Sequence, residues 1–491
     1  MSLGMIEMRP STYRAVIAAI LAVAGFFLLS RVHGGQPMDE DFAGLVQAAS
    51  NIVHGAPLND MGVALSANEP APLAYPPVYP LLLAPVVGLL GLNFMAIKIL
   101  HVALLLLTLG LVLVCHRRLR FTLWEAAAAL GVFCLLPETL SQINAVGPDI
   151  ALWLFLVLGL LALESLLDAS PDRRIRAAIL VGVAAFLAFE ARAIGIALLP
   201  AAALAVIARH RSQENWTSLV VPGLAFMVLW GLQAALLQPI AFTLVAKGPF
   251  FDVIGNLKAF YWHIMDPWVV SRWSKPVMLI LLAGSGLAAV GVLDGLRRGQ
   301  AVSWFIATWF AMLLVLPDFN VGIRYLMPIL LFLGALAVRG CVVAAAMLKQ
   351  KEIVGQGAAF ATILLLMLAL GTAHRTDVEA QAYGAFAPPT QDMFGFLRAH
   401  TEPGSLIAAR KPMAVHLFAE RRTIRPSASL RSMEAFQAWA AANKVDYLVL
   451  KQSALNGDND YTDCPQSPFC NAADSEPVFR NADYTVFRLR Q

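Results

Sequence analysis

The chain has 491 residues, of which 59% are hydrophobic and only 14% are charged, with a formal net charge of +4. Soluble globular proteins carry about 45–50% apolar and about 25% charged residues, so this composition excludes a soluble enzyme, a disordered chain and a disulfide scaffold. The apolar residues form stretches of about 17–25 residues, long enough to cross a hydrocarbon layer of about 30 Å. The sequence therefore predicts a polytopic α-helical membrane protein.

Apolar runs in chain order predict about eleven transmembrane helices. They lie at 13–30, 94–115, 121–137, 148–167, 175–191, 193–209, 217–238, 277–296, 302–317, 325–347 and 355–373. The segment 75–92 is also apolar, but it contains four prolines, including Pro85. Proline removes backbone donors that lipid cannot replace, so we predict a buried or interfacial helix there rather than a crossing.

The short basic loops predict the orientation. Their cations are Arg117, Arg118, Arg120, Arg173, Arg174, Arg176, Arg209, Arg211, Arg297, Arg298, Lys349 and Lys351. If 75–92 does not cross, all of them fall on the side of the N-terminus, which the positive-inside rule makes cytoplasmic. The first apolar segment lacks a cleavage site and is predicted to be a retained anchor. The C-terminus is then periplasmic, in a bacterial inner membrane.

Composition divides the chain into a membrane module, 1–374, and a polar C-terminal segment, 375–491. Two large loops of the module, 31–93 and 239–276, are predicted to lie outside. Strand-like runs (405–409, 447–450, 484–489) alternate with helix-like runs (391–400, 432–443) in the C-terminal segment and predict a small α/β domain. Its predicted role is structural, or to cap a site at the membrane surface.

Two cysteines, Cys464 and Cys470, are close neighbours in the C-terminal segment. On the periplasmic side they are predicted to form a disulfide, because that compartment is oxidising. Two free thiols would instead require a cytoplasmic tail. The sequence contains no spaced His/Cys cluster in this domain, and a metal remains unassigned.

Three consecutive acids, Asp39, Glu40 and Asp41, precede a helix-like run over 42–54 in the first outer loop. They can be a helix N-terminus, where acidic residues are favourable. Alternatively, a carboxylate there acts as a general base or a metal ligand at the membrane surface. Successive helical residues point in different directions, so we expect only one or two of the three to face a site.

Three further polar clusters lie near predicted helix ends. Asp149 follows Pro148 and can cap a helix or face a site; Glu190 and Arg192 can form an internal ion pair, or Arg192 can bind phosphate. Arg324, followed by Tyr325, can bind a lipid headgroup or a substrate phosphate. In the predicted orientation all these clusters are on the outer face, which suits transfer of a group from a phosphate-bearing lipid.

These motifs, in this order, resemble the GT-C class of membrane glycosyltransferases, which includes the aminoarabinose lipid A transferases and the protein O-mannosyltransferases. The matching segments are Asp39-Glu40 with the run to His54-Gly55, Tyr75-Pro76-Pro77-Val78-Tyr79-Pro80-Leu81, Gly147-Pro148-Asp149 and Arg324-Tyr325-Leu326-Met327-Pro328. Many members of the class carry Thr-Lys where this chain has Glu190-Ala191-Arg192, so whether Glu190 neutralises Arg192 is open.

The resemblance implies a GT-C-like fold, a polyprenyl-phosphate sugar donor, and transfer on the periplasmic face with inversion at the anomeric carbon. The acceptor is a hydroxyl of a lipid, a glycan or a protein. The resemblance implies Asp39 as the base, supported by Glu40 or Asp41. The implied substrate-binding residues are Tyr75, Asp149, Glu190, Arg192, Arg324 and Tyr325. Some members of the class use a divalent cation, and nothing in this sequence decides that.

Two other functions stay open. A transporter or flippase of a lipid-linked sugar typically shows paired repeats and charges near the bilayer midplane. The two halves of this chain show no convincing repeat, and its strongest charges lie at the predicted outer surface. A non-catalytic assembly subunit would explain the C-terminal domain but leaves the acidic first loop unused.

Overall fold

The computed structural model describes residues 10–38, 40–64, 75–209, 216–236, 253–258, 275–315, 323–373, 384–426, 430, 433–451 and 475–489. Contacts divide the chain into two compact units. The helical unit comprises Met1–Val32, Lys98–Ile143 and Pro148–Asp377. The mixed unit comprises His33–Ile97, Asn144–Gly147 and Val378–Gln491.

Helices dominate the described chain. In chain order they are α1 (Pro10–Leu29), α2 (Glu40–His54), α3 (Val78–Leu90), α4 (Phe94–Val114), α5 (Leu123–Cys134), α6 (Pro137–Asn144), α7 (Asp149–Leu167), α8 (Pro171–Ala191), α9 (Leu198–Arg209), α10 (Trp216–Leu236), α11 (Lys275–Arg297), α12 (Ala301–Val315), α13 (Met327–Leu330), α14 (Leu333–Met347), α15 (Glu352–Ala373), α16 (Pro388–His400), α17 (Pro412–Ala419) and α18 (Met433–Ala442). Short 3₁₀ turns cover Ala193–Ala197 and Ile323–Tyr325.

The lengths of the apolar helices make the chain a membrane protein. Among the described residues, four helices are long and apolar enough to cross a bilayer: α1, α4, α7 and α10. Two bent pairs, α5 with α6 and the second part of α11 with α12, raise the number to six if each pair is one span. Other predicted spans correspond to shorter apolar helices, such as α14, so the count of eleven stays a prediction.

The most deeply buried helix of the helical unit is α7. Its sequence is apolar on all sides, and a helix of that kind belongs inside a bundle. It packs against α8, α9 and α12. Charged residues occur near both of its ends, with Asp149 as the first residue and Glu164 in the last turn. At 1.5 Å per residue these two lie about 22 Å apart along the axis.

Glycines allow α11 and α14 to approach closely. A Cβ on Gly291 would meet the carbonyl oxygen of Leu336, and a Cβ on Gly340 would meet that of Leu287. Only glycine leaves room for backbone contact in both directions, so these two positions determine how near the helices lie.

The proline-rich segment 75–92 forms one short helix, α3, in the mixed unit. It contains Pro85, begins after Pro77 and ends at Gly91, whose φ is +64°. Thirteen residues span about 20 Å, less than the hydrocarbon layer of about 30 Å. A helix of this length is too short to cross on its own, and its place at the membrane surface stays a prediction.

The C-terminal part of the mixed unit is built on a five-stranded sheet of order β2-β1-β3-β5-β4. The strands are β1 (Leu406–Ala408), β2 (Arg422–Ile424), β3 (Tyr447–Lys451), β4 (Ser475–Arg480) and β5 (Tyr484–Leu489). Parallel pairs join β1 to β2 and to β3, whereas β5 is antiparallel to β3 and to β4. A small sheet is therefore present in the C-terminal segment, and the predicted strand-like and helix-like runs are its strands β1, β3 and β5 and the helices α16 and α18.

The first loop is part of the same unit as this sheet. Val63 forms a parallel bridge with Thr423, the middle residue of β2. The amide of Ala64 donates to the carbonyl of Thr423 at 2.7 Å, and the amide of Thr423 donates to the carbonyl of Gly62 at 3.0 Å. The compact unit thus joins two segments that composition places on opposite sides of residue 374.

Phenylalanine rings hold α2 within the mixed unit. The ring of Phe418 in α17 lies 6.3 Å from that of Phe42, 5.8 Å from that of Phe94 and 4.9 Å from that of Phe394. Aromatic pairs at such separations add to the stabilisation from burial. The helix α2, which begins at Glu40, is therefore packed on the C-terminal segment.

Candidate functional site

An ion pair joins the start of α7 to the end of α8. Arg192 follows α8 in an extended conformation (φ −151°, ψ 136°), which turns the chain into the 3₁₀ turn that follows. Its Nη2 donates to Asp149 Oδ2 at 2.7 Å, and its Nε lies 2.7 Å from Oδ1. The side chains are 15% and 5% exposed, so the pair is largely shielded from solvent. Asp149 is therefore the carboxylate partner of Arg192.

The ring of Tyr325 lies beside two guanidinium groups. The Cζ atoms of Arg192 and Arg324 are 5.5 and 5.8 Å from the ring centroid, within the range of cation–π attraction. Arg192 Nη1 also donates to the Tyr325 hydroxyl at 3.4 Å. The buried Trp309 donates its indole N–H to the Tyr325 carbonyl at 2.8 Å, which fixes the backbone there. We call Asp149, Arg192, Arg324 and Tyr325 the Arg192 cluster.

The Arg192 cluster has more positive than negative charge. Two guanidiniums and one carboxylate give a formal charge of +1. Within the part of the chain that the structure describes, the buried Nε of Arg324 has no hydrogen-bond partner, and no ion pair involves Arg324. A guanidinium presents several donors in a planar fork that matches phosphate or carboxylate oxygens. The cluster is thus chemically suited to bind an anion.

The described hydrogen bond of Glu190 is with Gln233. Glu190 Oε2 accepts a hydrogen bond from Gln233 Nε2 in α10 at 2.9 Å, and its side chain is fully buried. The sequence leaves open an internal Glu190–Arg192 ion pair. The ion pair described for Arg192 is with Asp149, which the packing of α7 against α8 brings to the guanidinium.

A second group of charges lies at the other end of α7. Arg120 Nε donates to Glu164 Oε2 at 2.9 Å, and Arg120 Nη2 donates to Asp168 Oδ1 at 3.0 Å. Arg209 also donates to Asp168, and the amide of Ala301 donates to Glu164 Oε1 at 2.8 Å. We call Arg120, Glu164, Asp168 and Arg209 the Glu164 network.

A further buried ion pair accompanies this network. Arg339 in α14 donates through Nε and Nη2 to the two carboxylate oxygens of Glu125, each at 3.1 Å. Sequence analysis missed this pair and assigned Arg120 and Arg209 only to topology. The available signal was the presence of Glu164 and Arg339 inside apolar segments, because ionisable groups at such positions face partners within the protein.

Two of the three acids of the first loop, Glu40 and Asp41, are described in the mixed unit. Asp39 lies outside the described residues, and Glu40 begins α2. Asp41 is exposed, and its Oδ1 accepts a hydrogen bond from the Tyr75 hydroxyl at 3.3 Å. The structure therefore brings together two predicted site residues, Asp41 and Tyr75, that are 34 positions apart.

The position of Tyr75 depends on residues that sequence analysis did not select. A Cβ on Gly44, one turn after Asp41 in α2, would run into the Tyr75 ring. The Tyr75 hydroxyl lies 3.9 Å from the Met413 sulfur in α17. Tyr75 thus lies over α2 where a glycine makes room, with α17 beside it.

Two further questions from the sequence concern a disulfide and a metal site. Cys464 and Cys470 lie outside the described residues, so their pairing stays a prediction. Across the described ranges, no group of three or more His, Cys, Asp or Glu side chains could hold a metal ion.

Comparison with known proteins rests on structure. No protein-family model and no curated protein matches the sequence. The crystal structure of ArnT from Cupriavidus metallidurans bound to undecaprenyl phosphate is similar over 98% of both chains, with 13% identity and a TM-score of 0.58. The oligosaccharyltransferase AglB from Archaeoglobus fulgidus, in complex with an inhibitory peptide and a dolichol-phosphate, is 10% identical with a TM-score of 0.58. That match covers 89% of this chain and 69% of AglB.

A third similar structure is the arabinofuranosyltransferase AftD from Mycobacteria. It is 15% identical with a TM-score of 0.59, and the match covers 97% of this chain but 41% of AftD. All three are glycosyltransferases of the GT-C class. The chain has the GT-C fold, which confirms at the level of fold the resemblance that motif order predicts.

Proposed function

We propose that this protein is an integral-membrane glycosyltransferase that moves a sugar from a polyprenyl-phosphate donor to a hydroxyl of a lipid, glycan or protein acceptor. The observation that carries the proposal is the net positive charge of the Arg192 cluster in a chain with the fold of ArnT. Solved structures of ArnT and AglB hold undecaprenyl phosphate and a dolichol-phosphate, which supports this class of donor. In the proposal the reaction occurs on the periplasmic face of a bacterial inner membrane.

The Arg192 cluster binds the donor phosphate in this proposal. As the bond between the anomeric carbon and the phosphate oxygen breaks, negative charge builds up on the phosphate. Donors that are already oriented stabilise that charge without reorganisation. Arg324 is the primary donor, because no described carboxylate pairs with it, and Arg192 is oriented by Asp149. Tyr325 holds both guanidiniums in place.

A carboxylate of the first loop acts as the base. It takes the proton of the acceptor hydroxyl, the hydroxyl oxygen attacks the anomeric carbon, and the polyprenyl phosphate leaves with inversion of configuration. Asp39 remains the first candidate from the resemblance, with Glu40 or Asp41 in support. The hydrogen bond from Tyr75 to Asp41 supports a role of Tyr75 at this carboxylate group.

Release of free lipid phosphate tests the proposal. Purified full-length protein is incubated with polyprenyl-phosphate sugars, and free polyprenyl phosphate is measured. Asp39→Asn is expected to abolish release while expression and membrane insertion stay intact; near-normal release would remove Asp39 from the mechanism. Asp392→Asn, at an exposed carboxylate of α16, is the matched control and is expected to behave like the unmodified protein.

The same purified protein distinguishes a glycosyltransferase from a flippase. Protein reconstituted in vesicles would, as a flippase, move the intact lipid-linked sugar between leaflets without releasing free lipid phosphate. That result would overturn the proposal. A reporter fused after residue 375 tests the orientation: activity confined to the cytoplasm would contradict a periplasmic C-terminal segment.

A further inference from the structure

Glu190 and Gln233 form an isolated polar pair in an apolar part of the helical unit. Gln233 is the one amide side chain of α10, a helix whose apolar surface is mostly exposed. It donates one hydrogen bond to Glu190 Oε2. Among the described residues, no donor reaches the two remaining oxygens, Glu190 Oε1 and Gln233 Oε1, although both atoms are buried.

A charged Glu190 fits these surroundings poorly. An ionised carboxylate only accepts hydrogen bonds, and a buried one needs donors or a cation to offset its lost hydration. Glu164 shows what such compensation requires: it is equally buried, and it receives Arg120 Nε and the amide of Ala301, with Arg209 Nη1 3.8 Å away. Glu190 receives one amide N–H.

A single proton satisfies both remaining oxygens. A carboxylic acid and a primary amide form a cyclic pair, in which the amide N–H donates to one carboxyl oxygen and the carboxyl O–H donates to the amide oxygen. The first of these bonds is present at 2.9 Å. The second would join the two oxygens that lack a donor. We infer that Glu190 is protonated and forms a neutral acid–amide pair with Gln233.

The protonation state of Glu190 determines its electrostatic effect on Arg192. The resulting effect on phosphate binding rests on the proposed function. Glu190 is two residues from Arg192 in the chain, and as a carboxylate it would oppose the positive charge that binds phosphate. As a neutral acid it leaves the formal charge of the Arg192 cluster at +1. Gln233 is then a positioning residue, which orients the neutral acid as its cyclic hydrogen-bond partner.

Infrared spectroscopy tests the protonation directly. The carbonyl stretch of a protonated carboxylic acid is distinct from that of a carboxylate, and ¹³C labelling of glutamate side chains identifies the residue type. Glu190→Gln is expected to remove such a band, and Gln233→Leu is expected to shift it, because the carbonyl loses its amide donor. Glu164→Gln is the matched control; it removes a buried glutamate held by arginines and is expected to remove no such band.

Each outcome bears on the inference. If Glu190→Gln removes no protonated-acid band, the inference is wrong. Binding of undecaprenyl phosphate gives an independent measure of charge: Glu190→Gln is expected not to tighten it. A rise of about tenfold or more would show that Glu190 opposes Arg192 as a carboxylate and would overturn the inference. Unmodified protein that binds no undecaprenyl phosphate would count against the proposed function and leave the infrared result standing.

Discussion

Charged side chains gather at both ends of α7, and the two groups differ in how their charges balance. In the Glu164 network two carboxylates face two guanidiniums. In the Arg192 cluster one carboxylate accompanies two guanidiniums, and no described carboxylate pairs with Arg324. A balanced network holds helix ends together, whereas an unbalanced one leaves charge for a ligand. The difference separates charges that stabilise the fold from charges that we propose act in the reaction.

The largest effect is expected from Glu164→Ala. The change leaves Arg120 Nε and the buried amide of Ala301 without their acceptor. Breaking a buried ion pair on one side costs about 3–5 kcal/mol. Unfolding of the detergent-solubilised protein measures the loss. Asp172→Ala is the control, because its pair with Arg173 is 3.8 Å long and both side chains are mostly exposed. There we expect less than about 0.5 kcal/mol; equal losses would refute a structural role of the network.

Arg324→Ala tests the Arg192 cluster at the other end of α7. We expect kcat/KM for the lipid donor to fall about 10- to 100-fold, the range that corresponds to about 1.5–3 kcal/mol for charge-assisted hydrogen bonds. The free energy of unfolding is expected to change by less than about 0.5 kcal/mol, because no described ion pair is lost. Arg324→Lys is expected to recover only part of the activity, since lysine lacks the planar fork. A loss of stability without a loss of activity would reverse the two assignments.

Tyr75→Phe tests the hydrogen bond to Asp41, a carboxylate that belongs neither to the Glu164 network nor to the Arg192 cluster. The variant keeps the ring on Gly44 but removes the hydroxyl that donates to Asp41, at a cost of about 0.5–1.5 kcal/mol. We expect kcat to fall about 2- to 10-fold with little change in KM for the donor. Gly44→Ala displaces the ring and should lower kcat as well. An unchanged kcat in both variants would remove Tyr75 from the reaction.

The smallest effect is expected from the hydrogen bond between the exposed Glu402 and the buried Tyr447 in the mixed unit. Its own backbone N–H, the Ser405 hydroxyl and the Tyr447 hydroxyl hold the pKa of Glu402 below the ordinary 4.5. Burial, and then the charge of Glu402, raise the pKa of Tyr447 above the ordinary 10.0. The lowered carboxyl pKa of Glu402 stabilises the fold above pH 4.5, and this stabilisation is lost as the pH falls through the lowered value. The raised pKa of Tyr447 stabilises the fold below pH 10.0, and this stabilisation is lost as the pH rises through the raised value.

Stability measured against pH should therefore show a plateau with a shallow limb at each end. Tyr447→Phe is expected to remove the alkaline limb attributable to this residue and to weaken the acid one, because Glu402 loses a donor. An alkaline limb of unchanged size in that variant would mean that other groups cause it. Both limbs should be small beside the effect of Glu164→Ala, because solvent screens the exposed carboxylate of Glu402.

Hydropathy predicted the helices well where burial in an apolar medium decides the structure. The predicted segment 148–167 is α7, and 175–191 ends with α8. In the mixed unit, β1, β3 and β5 follow from alternating or apolar runs. The strand β4 was missed because it contains Pro477 and exposed residues, and α17 was missed because eight residues show too little periodicity.

The candidate site was predicted as residues but not as contacts. Asp149, Arg192, Arg324 and Tyr325 stand out because charged residues are scarce in so apolar a chain. Their pairing follows from which helices are neighbours, so the Asp149–Arg192 contact, 43 positions apart, could not be derived from local sequence. The same holds for Gln233, an ordinary polar residue until α10 places it against Glu190.

From its sequence alone this protein is a membrane protein with a GT-C-like order of motifs, because hydropathy and short motifs are local properties. Which carboxylate neutralises which arginine was decided only by tertiary structure. A buried charge must find its partner across helix contacts, and those contacts depend on packing over the whole unit. Packing therefore pairs Arg192 with Asp149, gives Glu190 an amide partner, and leaves Arg324 without a partner among the described carboxylates.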